Sequence, residues 1–529
     1  MRLTDFNPNR GIDLDAAFAH LITETAALRS PAAPADAAAS RTTHAQRVAT
    51  WRAMRLPPGS VVLMCMPNGR TLLQQFFALI DAGYVPAMLS PTTPAQRIRH
   101  MAEDFHAAAL VKPRIGDALR RELCIGRVES GDDATWETGR FDADGQWDTT
   151  PLTEPGDVIL TTSGTSSDFS SGCVHAFASL RENARKHAAD IGLSASDTVL
   201  VNLPLYYSFA LVAQALASLQ CGARLVISGP PFLGARYLAD LDAHRVTVSS
   251  VTPVLMRDLL AHGNTHRHPH ADLHANPQPH VALPDCVRAL TVGGDFLQAE
   301  HAAAFVERYP DKQLYLTYGI TEAGPRVATG LAHDGARDSR RFASVGKPMQ
   351  GVEVRLLDAG QAHASTHVHA ATRDYGHAWH ASREGELLVH SDTLLKRKIG
   401  RSAQDPLIHL DGKAWLKTGD IFEIDLDGYL YFKHRRSDFI VLNDEKVNLA
   451  AIKQFCRSLP GVLTCKTKSL RRAETVNGYF LEVTVDDLLV GPHEADAIRA
   501  RILKGLKHYE RPTTLTLTAV SRQQHEFYK

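Results

Sequence analysis

Residues 61–89 restrict the fold more than any other stretch. An apolar run from Val61 to Met66 is followed by a Pro-Asn-Gly turn, a helix with apolar residues at helical spacing through LLQQFFALIDAG, and a short second strand after Gly83. Parallel strands need a crossover of this kind, so the segment reads as a βαβ unit of a parallel sheet. The rhythm recurs. DTVLVNLPL (197–205) precedes a helix through LVAQALASLQ, ARLVIS (223–228) a helix near YLADLDAH, and VTVSSVTP (246–253) the helix LMRDLLAHG. The economical reading is a doubly wound α/β architecture.

A chain of 529 residues exceeds what one hydrophobic core supports, which levels off near ~250–300 residues. The pattern changes near Asp420. Downstream come DLDGYLYF, a hairpin with Asp-Gly at its turn, the charged stretch KHRRSD, and an α+β alternation. The expectation is a large N-terminal domain of stacked α/β subdomains over 1–420 and a small mobile α+β domain over 421–529.

Acids and Lys plus Arg balance at 58 each, so no charge excess points to nucleic acid or an anionic membrane. The seven cysteines are scattered and form no CxxC pair, as in reduced cytosolic proteins. The N-terminus lacks the apolar stretch of a secretory signal, and no run reaches the ~18 apolar residues of a membrane span. A cytoplasmic location without stable membrane insertion is expected. Two histidine-rich stretches, HGNTHRHPHADLHANPQPH (262–280) and the region His363 to His380, read as exposed insertions, because Pro and Asn crowd the first and no Cys or acid completes a metal site.

Chemistry concentrates in VILTTSGTSSDFSSGCVH (158–175), an apolar strand emptying into a Thr/Ser/Gly loop with a helix beginning near Ala178. Such a loop offers backbone N–H groups and hydroxyls with little bulk, which suits polyphosphate oxygens. It is not GxxxxGK[ST], since no lysine follows the glycine.

TSGT (162–165) resembles the start of the phosphate loop of the adenylate-forming superfamily: acyl-CoA synthetases, aryl-acid ligases and adenylation enzymes. Seven further segments resemble that family's motifs in order: LPLYYSFAL (203–211), TVGGDFL (291–297), YGITE (318–322), SVGKPMQGVEV (344–354), GELLVHS (385–391), KTGD (417–420) and HRRSDFIV (434–441). The resemblance runs from about residue 50 to the end. It implies that Thr162, Ser163, Gly164 and Thr165 wrap the ATP β- and γ-phosphates. Gly293, Gly294, Asp295 and Gly319 would border the adenine, and Tyr318 would stack on it. Thr321 would bond the α-phosphate and Glu322 hold Mg²⁺, a hard cation that takes oxygen ligands. Asp420 would accept from the ribose hydroxyls beside Arg435.

The pattern is broken in places. Ser166-Ser167 replaces Thr-Gly, and Ser170 or Ser171 stands where the loop lysine is expected, so one phosphate-neutralising charge is missing. His434 replaces a glycine, Ser437 the hinge acid, and Asp444 a glycine that faces the incoming thiol. The family's C-terminal catalytic lysine maps nearest to Lys529, about one position beyond the usual distance from Pro512.

Family enzymes for α-amino acids carry an aspartate after the phosphate loop, whereas LPLYYSFALVAQ contains no acid. An acyl or aryl acid without an α-amino group is therefore implied. Tyr207, Ser208, Phe209, Val212 and Thr317 are the pocket residues by position. The implied reaction forms the acyl-adenylate with release of pyrophosphate. Transfer follows to CoA, to a carrier-protein phosphopantetheine, or to an amine, with the altered hinge favouring a biosynthetic ligase that loads a carrier or makes an amide. The competing reading is a degenerate homologue that binds nucleotide without turnover.

Overall fold

Every βα unit expected from the sequence is present. The computed structural model describes residues 13–25, 42–131, 135–141, 147–161, 171–229, 234–261, 282–357, 383–401, 403–436, 439–442, 445–472, 475–487 and 490–520. Thr162, Ser163, Gly164, Thr165, Ser437, Asp444, Lys529 and both histidine-rich stretches lie outside them.

Strand Val61–Met64 pairs in parallel with Val85–Met88 across the helix Arg70–Ala82. That helix ends at Gly83, whose φ of 90° lets its N–H reach back to the carbonyl of Ile80. It is apolar nearly all round and therefore buried nearly all round, with Leu73, Phe76, Phe77, Leu79 and Ile80 wholly covered. It lies between two eight-stranded sheets. Its partners in one core include Val62, Met64 and Leu160 of one sheet and Val199, Val201 and Leu225 of the other. The second helix of that layer is Phe177–Asp190, and the rings of Phe76, Phe77 and Phe177 meet edge to face at 5.4–6.1 Å.

One sheet runs, in spatial order, Ile22–Glu24, Arg224–Ile227, Thr198–Val201, Val248–Val251, Ala289–Val292 and Gln313–Gly319, all parallel, before two antiparallel strands, Arg326–Leu331 and Lys347–Pro348. The other holds Val61–Met64, Val85–Met88 and Asp157–Thr161, and ends on Gly172–Ala176 and Arg397–Ile399. A third, antiparallel sheet contains Glu353–Leu357, Arg383–His390, Leu407–Leu410, Lys413–Ile424 and Leu430–Arg435.

At Asp420, where the sequence reading divides the domains, the chain is in the middle of a sheet. Asp420 lies inside strand Lys413–Ile424, which turns through Asp427-Gly428 and returns as Leu430–Arg435 with Asp420 opposite Arg435. The hairpin is present, but it completes the third sheet rather than opening the small domain. Beyond it, Phe439–Leu442 pairs with Glu445–Asn448, and a three-stranded sheet packs with helices Leu449–Ser458 and Pro492–Gly505 around a core of its own.

The seven cysteines are unbridged. No described helix is long and apolar enough to cross a membrane.

One buried carboxylate ties the parallel array together. Asp197 accepts from Arg288 Nε and Nη2 at 2.7 and 2.8 Å, from the Thr247 hydroxyl at 2.7 Å and from the Ser194 N–H at 2.9 Å. Burial alone would raise its pKa, but those donors outweigh it and bring it from 3.8 down to about 2. A depressed carboxylate pKa contributes stability at neutral pH that is lost as pH falls through 3.8 towards about 2. Asp197→Asn should therefore lower the urea midpoint by a constant amount above pH ~5, and the difference from the parent should shrink below pH ~4.

Candidate active site

The loops leaving the carboxyl ends of Thr198–Val201, Ala289–Val292 and Gln313–Gly319 bring the predicted residues together, at the edge where open α/β sheets bind ligands. The Ser208 and Thr321 hydroxyls, from two of these loops, lie 3.3 Å apart.

Tyr318, Asp420 and Arg435 form one cluster. The Tyr318 hydroxyl donates to Asp420 Oδ2 at 2.7 Å, and Arg435 Nε lies 3.0 Å from Oδ1. Asp420 is buried and its backbone N–H donates to the Thr418 hydroxyl at 3.1 Å. The Tyr318 ring packs edge to face on Phe422 at 4.6 Å, which fixes its plane. Burial first, and then the Asp420 charge, hold the phenol protonated well above its ordinary range. Gly294 has φ +88° and open space where a side chain would stand. Gly319 is compelled by packing, since a Cβ there would sit 2.5 Å from the Pro325 carbonyl oxygen. Asp295 turns away from the cluster: its carboxylate pairs with Arg457 of the C-terminal domain at 2.6 Å and accepts from the Phe296 N–H.

Glu322 acquires a partner that the sequence reading passed over. Lys398 Nζ lies 2.6 Å from Glu322 Oε1, with both side chains largely buried. Burial works against the ammonium, but the Glu322 charge outweighs it and raises its pKa. Lys398 is on strand Arg397–Ile399, opposite Cys173 on the strand that continues the Thr/Ser/Gly loop. A cation therefore stands on the strand next to the one that continues the loop. Beneath lies His175, wholly buried and pushed down to about 4 by desolvation, so its imidazole is neutral at physiological pH.

On the acid side, Thr317 donates to the Val292 carbonyl at 2.7 Å and accepts from Arg326 Nη1 at 2.7 Å. The Arg326 guanidinium stacks on the Phe209 ring at 3.8 Å. Gly293 completes this corner. A Cβ there would lie 2.9 Å from both Phe209 and the Thr317 hydroxyl and 3.0 Å from Arg326 Nη1. Phe209 begins a π-helical stretch, Phe209–Leu216, a geometry frequent at functional sites. Tyr207 packs against Tyr206 at 4.6 Å at the rim of the core. Val212 is wholly buried in that core, one turn behind Phe209, and presents no open surface.

The sequence signature of the AMP-binding enzyme family matches residues 42–396. The chain belongs to the AMP-binding enzyme family. It is an AMP-forming ligase, using ATP to activate an organic acid. Among relatives, 4-coumarate–CoA ligase-like 6 of Oryza sativa subsp. japonica is 26% identical over 78% of this chain and 67% of its own length. A feruloyl-CoA synthase of Amycolatopsis sp is 26% identical over 78% of this chain and 76% of its own. The o-succinylbenzoate CoA synthetase of Bacillus subtilis, solved with its acyl-adenylate intermediate, superposes with a TM-score of 0.62 over 90% of this chain and 88% of that one. At 20% identity that last likeness is one of fold. Of the residues singled out in the sequence, Tyr318, Asp420 and Arg435 are brought together, and Thr321 and Glu322 lie in the turn that follows Tyr318. Only a charge standing at the head of the apolar strand Arg326–Leu331, and a Lys-Arg-Lys run at 396–398, hinted at Arg326 and Lys398.

Proposed function

We propose that the enzyme activates an acyl or aryl carboxylic acid lacking an α-amino group as its adenylate, releases pyrophosphate, and passes the acyl group to the thiol of CoA. What carries the reading is that the end of strand Gln313–Gly319 and the turn after it each meet a charged partner from another sheet, as Tyr318–Asp420–Arg435 and as Glu322–Lys398 beside Thr321. CoA is favoured as acceptor because the relatives are named for CoA ligation.

In this reading Asp420 accepts from the ribose hydroxyls while the Arg435 guanidinium pairs with its Oδ1, and the adenine lies between Tyr318 and Gly294. The Thr321 and Ser208 hydroxyls donate to the α-phosphate. Lys398 neutralises the outer phosphates in place of the lysine missing from the loop. The donor set suits magnesium: Glu322 brings carboxylate oxygen with Thr321 and Ser208 hydroxyls near, and no group of three or more His, Cys, Asp or Glu side chains among the described residues makes a dedicated metal cage. Bound there with the nucleotide, Mg²⁺ would neutralise charge on the leaving pyrophosphate. The protein contributes mainly positioning and fixed charge. Thr162, Ser163, Gly164, Thr165 and Lys529 join this assignment on the family resemblance, as does a small domain that swings between the two half-reactions; a cytoplasmic location joins it on the scattered, unpaired cysteines. The swing would exchange the Asp295–Arg457 pair for other contacts.

Acid-dependent ATP–pyrophosphate exchange over a panel of aryl, acyl and amino acids tests the first half-reaction, with an acid lacking an α-amino group expected to give the highest rate. Adding CoA, a phosphopantetheinyl carrier protein or an amine to the active acid tests the second, with the thioester of CoA as the expected product. ATP binding without exchange for any acid would leave a nucleotide-binding homologue and end the ligase reading.

A further inference from the structure

Arg326 is a cation whose charge the site does not balance. The residue is 3% exposed, and among the described residues its Nε and Nη2 have no hydrogen-bond partner. Only Nη1 is engaged, by the neutral Thr317 hydroxyl. No carboxylate among the described residues forms an ion pair with it. The nearby titratable ring, His187, is buried and held neutral by desolvation and by Arg326 itself, so it brings no counter-charge. Asn183 meets Arg326 only at the backbone, accepting from its N–H and donating to its carbonyl, each at 2.9 Å. Desolvation alone lowers the guanidinium pKa to about 9, which still leaves it charged at neutral pH. The Phe209 ring covers it, offering the partial compensation of a cation–π contact. A buried charge without a partner is costly enough that its retention calls for an anion at some stage of the working cycle.

The reacting carboxylate is not that anion. It must meet the α-phosphate near Thr321, beyond the end of strand Gln313–Gly319. The guanidinium is anchored at Thr317, two residues back from that end, a distance of about 7 Å along an extended strand. Gly293 and the Phe209 ring border the same spot. Phe209 is the first residue of the π-helical stretch and keeps part of its surface open.

We propose that the acid activated here carries a second carboxylate, which displaces the Phe209 ring and pairs with Arg326 while the first carboxylate reacts at Thr321. The proposal rests on the acid-activating reading above and narrows it to dicarboxylates. Nε and Nη2 of one guanidinium present two parallel N–H donors, the fork that a carboxylate accepts in bidentate fashion.

Calorimetric binding of C3–C6 α,ω-dicarboxylates and of benzene-1,3- and 1,4-dicarboxylate, each beside its monomethyl ester, tests it on the full chain in the presence of AMP. At least one diacid should bind about 30-fold more tightly than its ester, the worth of a buried charge-assisted hydrogen bond. Arg326→Met, close in volume and removing a buried cation, should fold with an unchanged or raised Tm and reduce that preference to within about threefold. Arg326→Lys should retain part of it, as a point charge without the fork. The idea is overturned if no diacid of the panel binds more tightly than its ester, or if Arg326→Met leaves the preference intact. Exchange assays on the same acids report separately: diacid binding without exchange counts against the ligase reading and not against the anion site.

Discussion

Asp420→Asn is expected to raise the dissociation constants of both ATP and AMP by about 10²-fold, because two hydroxyls lose a charged acceptor worth ~1.5–3 kcal/mol apiece. The carboxylate is buried, receives the Tyr318 hydroxyl at 2.7 Å and faces Arg435 across the strand pair. Asparagine keeps the size and can still accept from Tyr318, so the ring and the hairpin stay in place. What goes is the charge that makes the site a strong acceptor and holds Arg435 Nε at 3.0 Å. AMP lacks the outer phosphates, so an equal loss for ATP and AMP locates the defect at the nucleoside end. Calorimetry with each nucleotide measures it. An affinity for AMP within threefold of the parent would remove Asp420 from the ribose site.

Glu322→Gln should cut acid-dependent pyrophosphate exchange by about 10²–10³-fold, the scale of removing one preorganised charge-stabilising group. Two effects add. The variant loses the carboxylate proposed for Mg²⁺, and it leaves the Lys398 ammonium buried without the partner that lies at 2.6 Å. Titrating Mg²⁺ separates them: the concentration for half-maximal exchange should rise in Glu322→Gln. Lys398→Met should instead weaken ATP and pyrophosphate with little change for AMP, which has no outer phosphates to neutralise. Because the two side chains touch, the double variant should lose less than the sum of the singles. An unaltered Mg²⁺ requirement in Glu322→Gln would strip Glu322 of its role, and equal weakening of ATP and AMP in Lys398→Met would make that lysine structural.

The periodicity of residues 61–89 and its recurrences were legible because strands buried on both faces need continuous apolar runs and their crossovers need helices, so the alternation is written locally. Tyr318, Thr321 and Glu322 were legible for a similar reason: the site is built where a strand ends, and strand, turn and site residues are contiguous in YGITE. The sheet to which the Asp-Gly hairpin belongs was not, because a hairpin at the end of one sheet and a hairpin opening a new domain share the same signal. Only pairing shows that Leu430–Arg435 joins strand Lys413–Ile424. Val212 likewise is a pocket residue by its position in the family motif, while its side chain is packed in the core.

The sequence by itself determined the order of the βα units, the division into a large and a small domain and the family motifs, since each rests on local periodicity or a short contiguous stretch. Tertiary structure alone decided the electrostatics of the site. Lys398 meets Glu322 because strand Arg397–Ile399 pairs with Gly172–Ala176. Arg326 is left as an unbalanced charge because the chain folds it against Thr317, Gly293 and Phe209 without a carboxylate among the described residues that touch it. Desolvation and ion pairing depend on which distant segments meet, and no local pattern encodes that meeting.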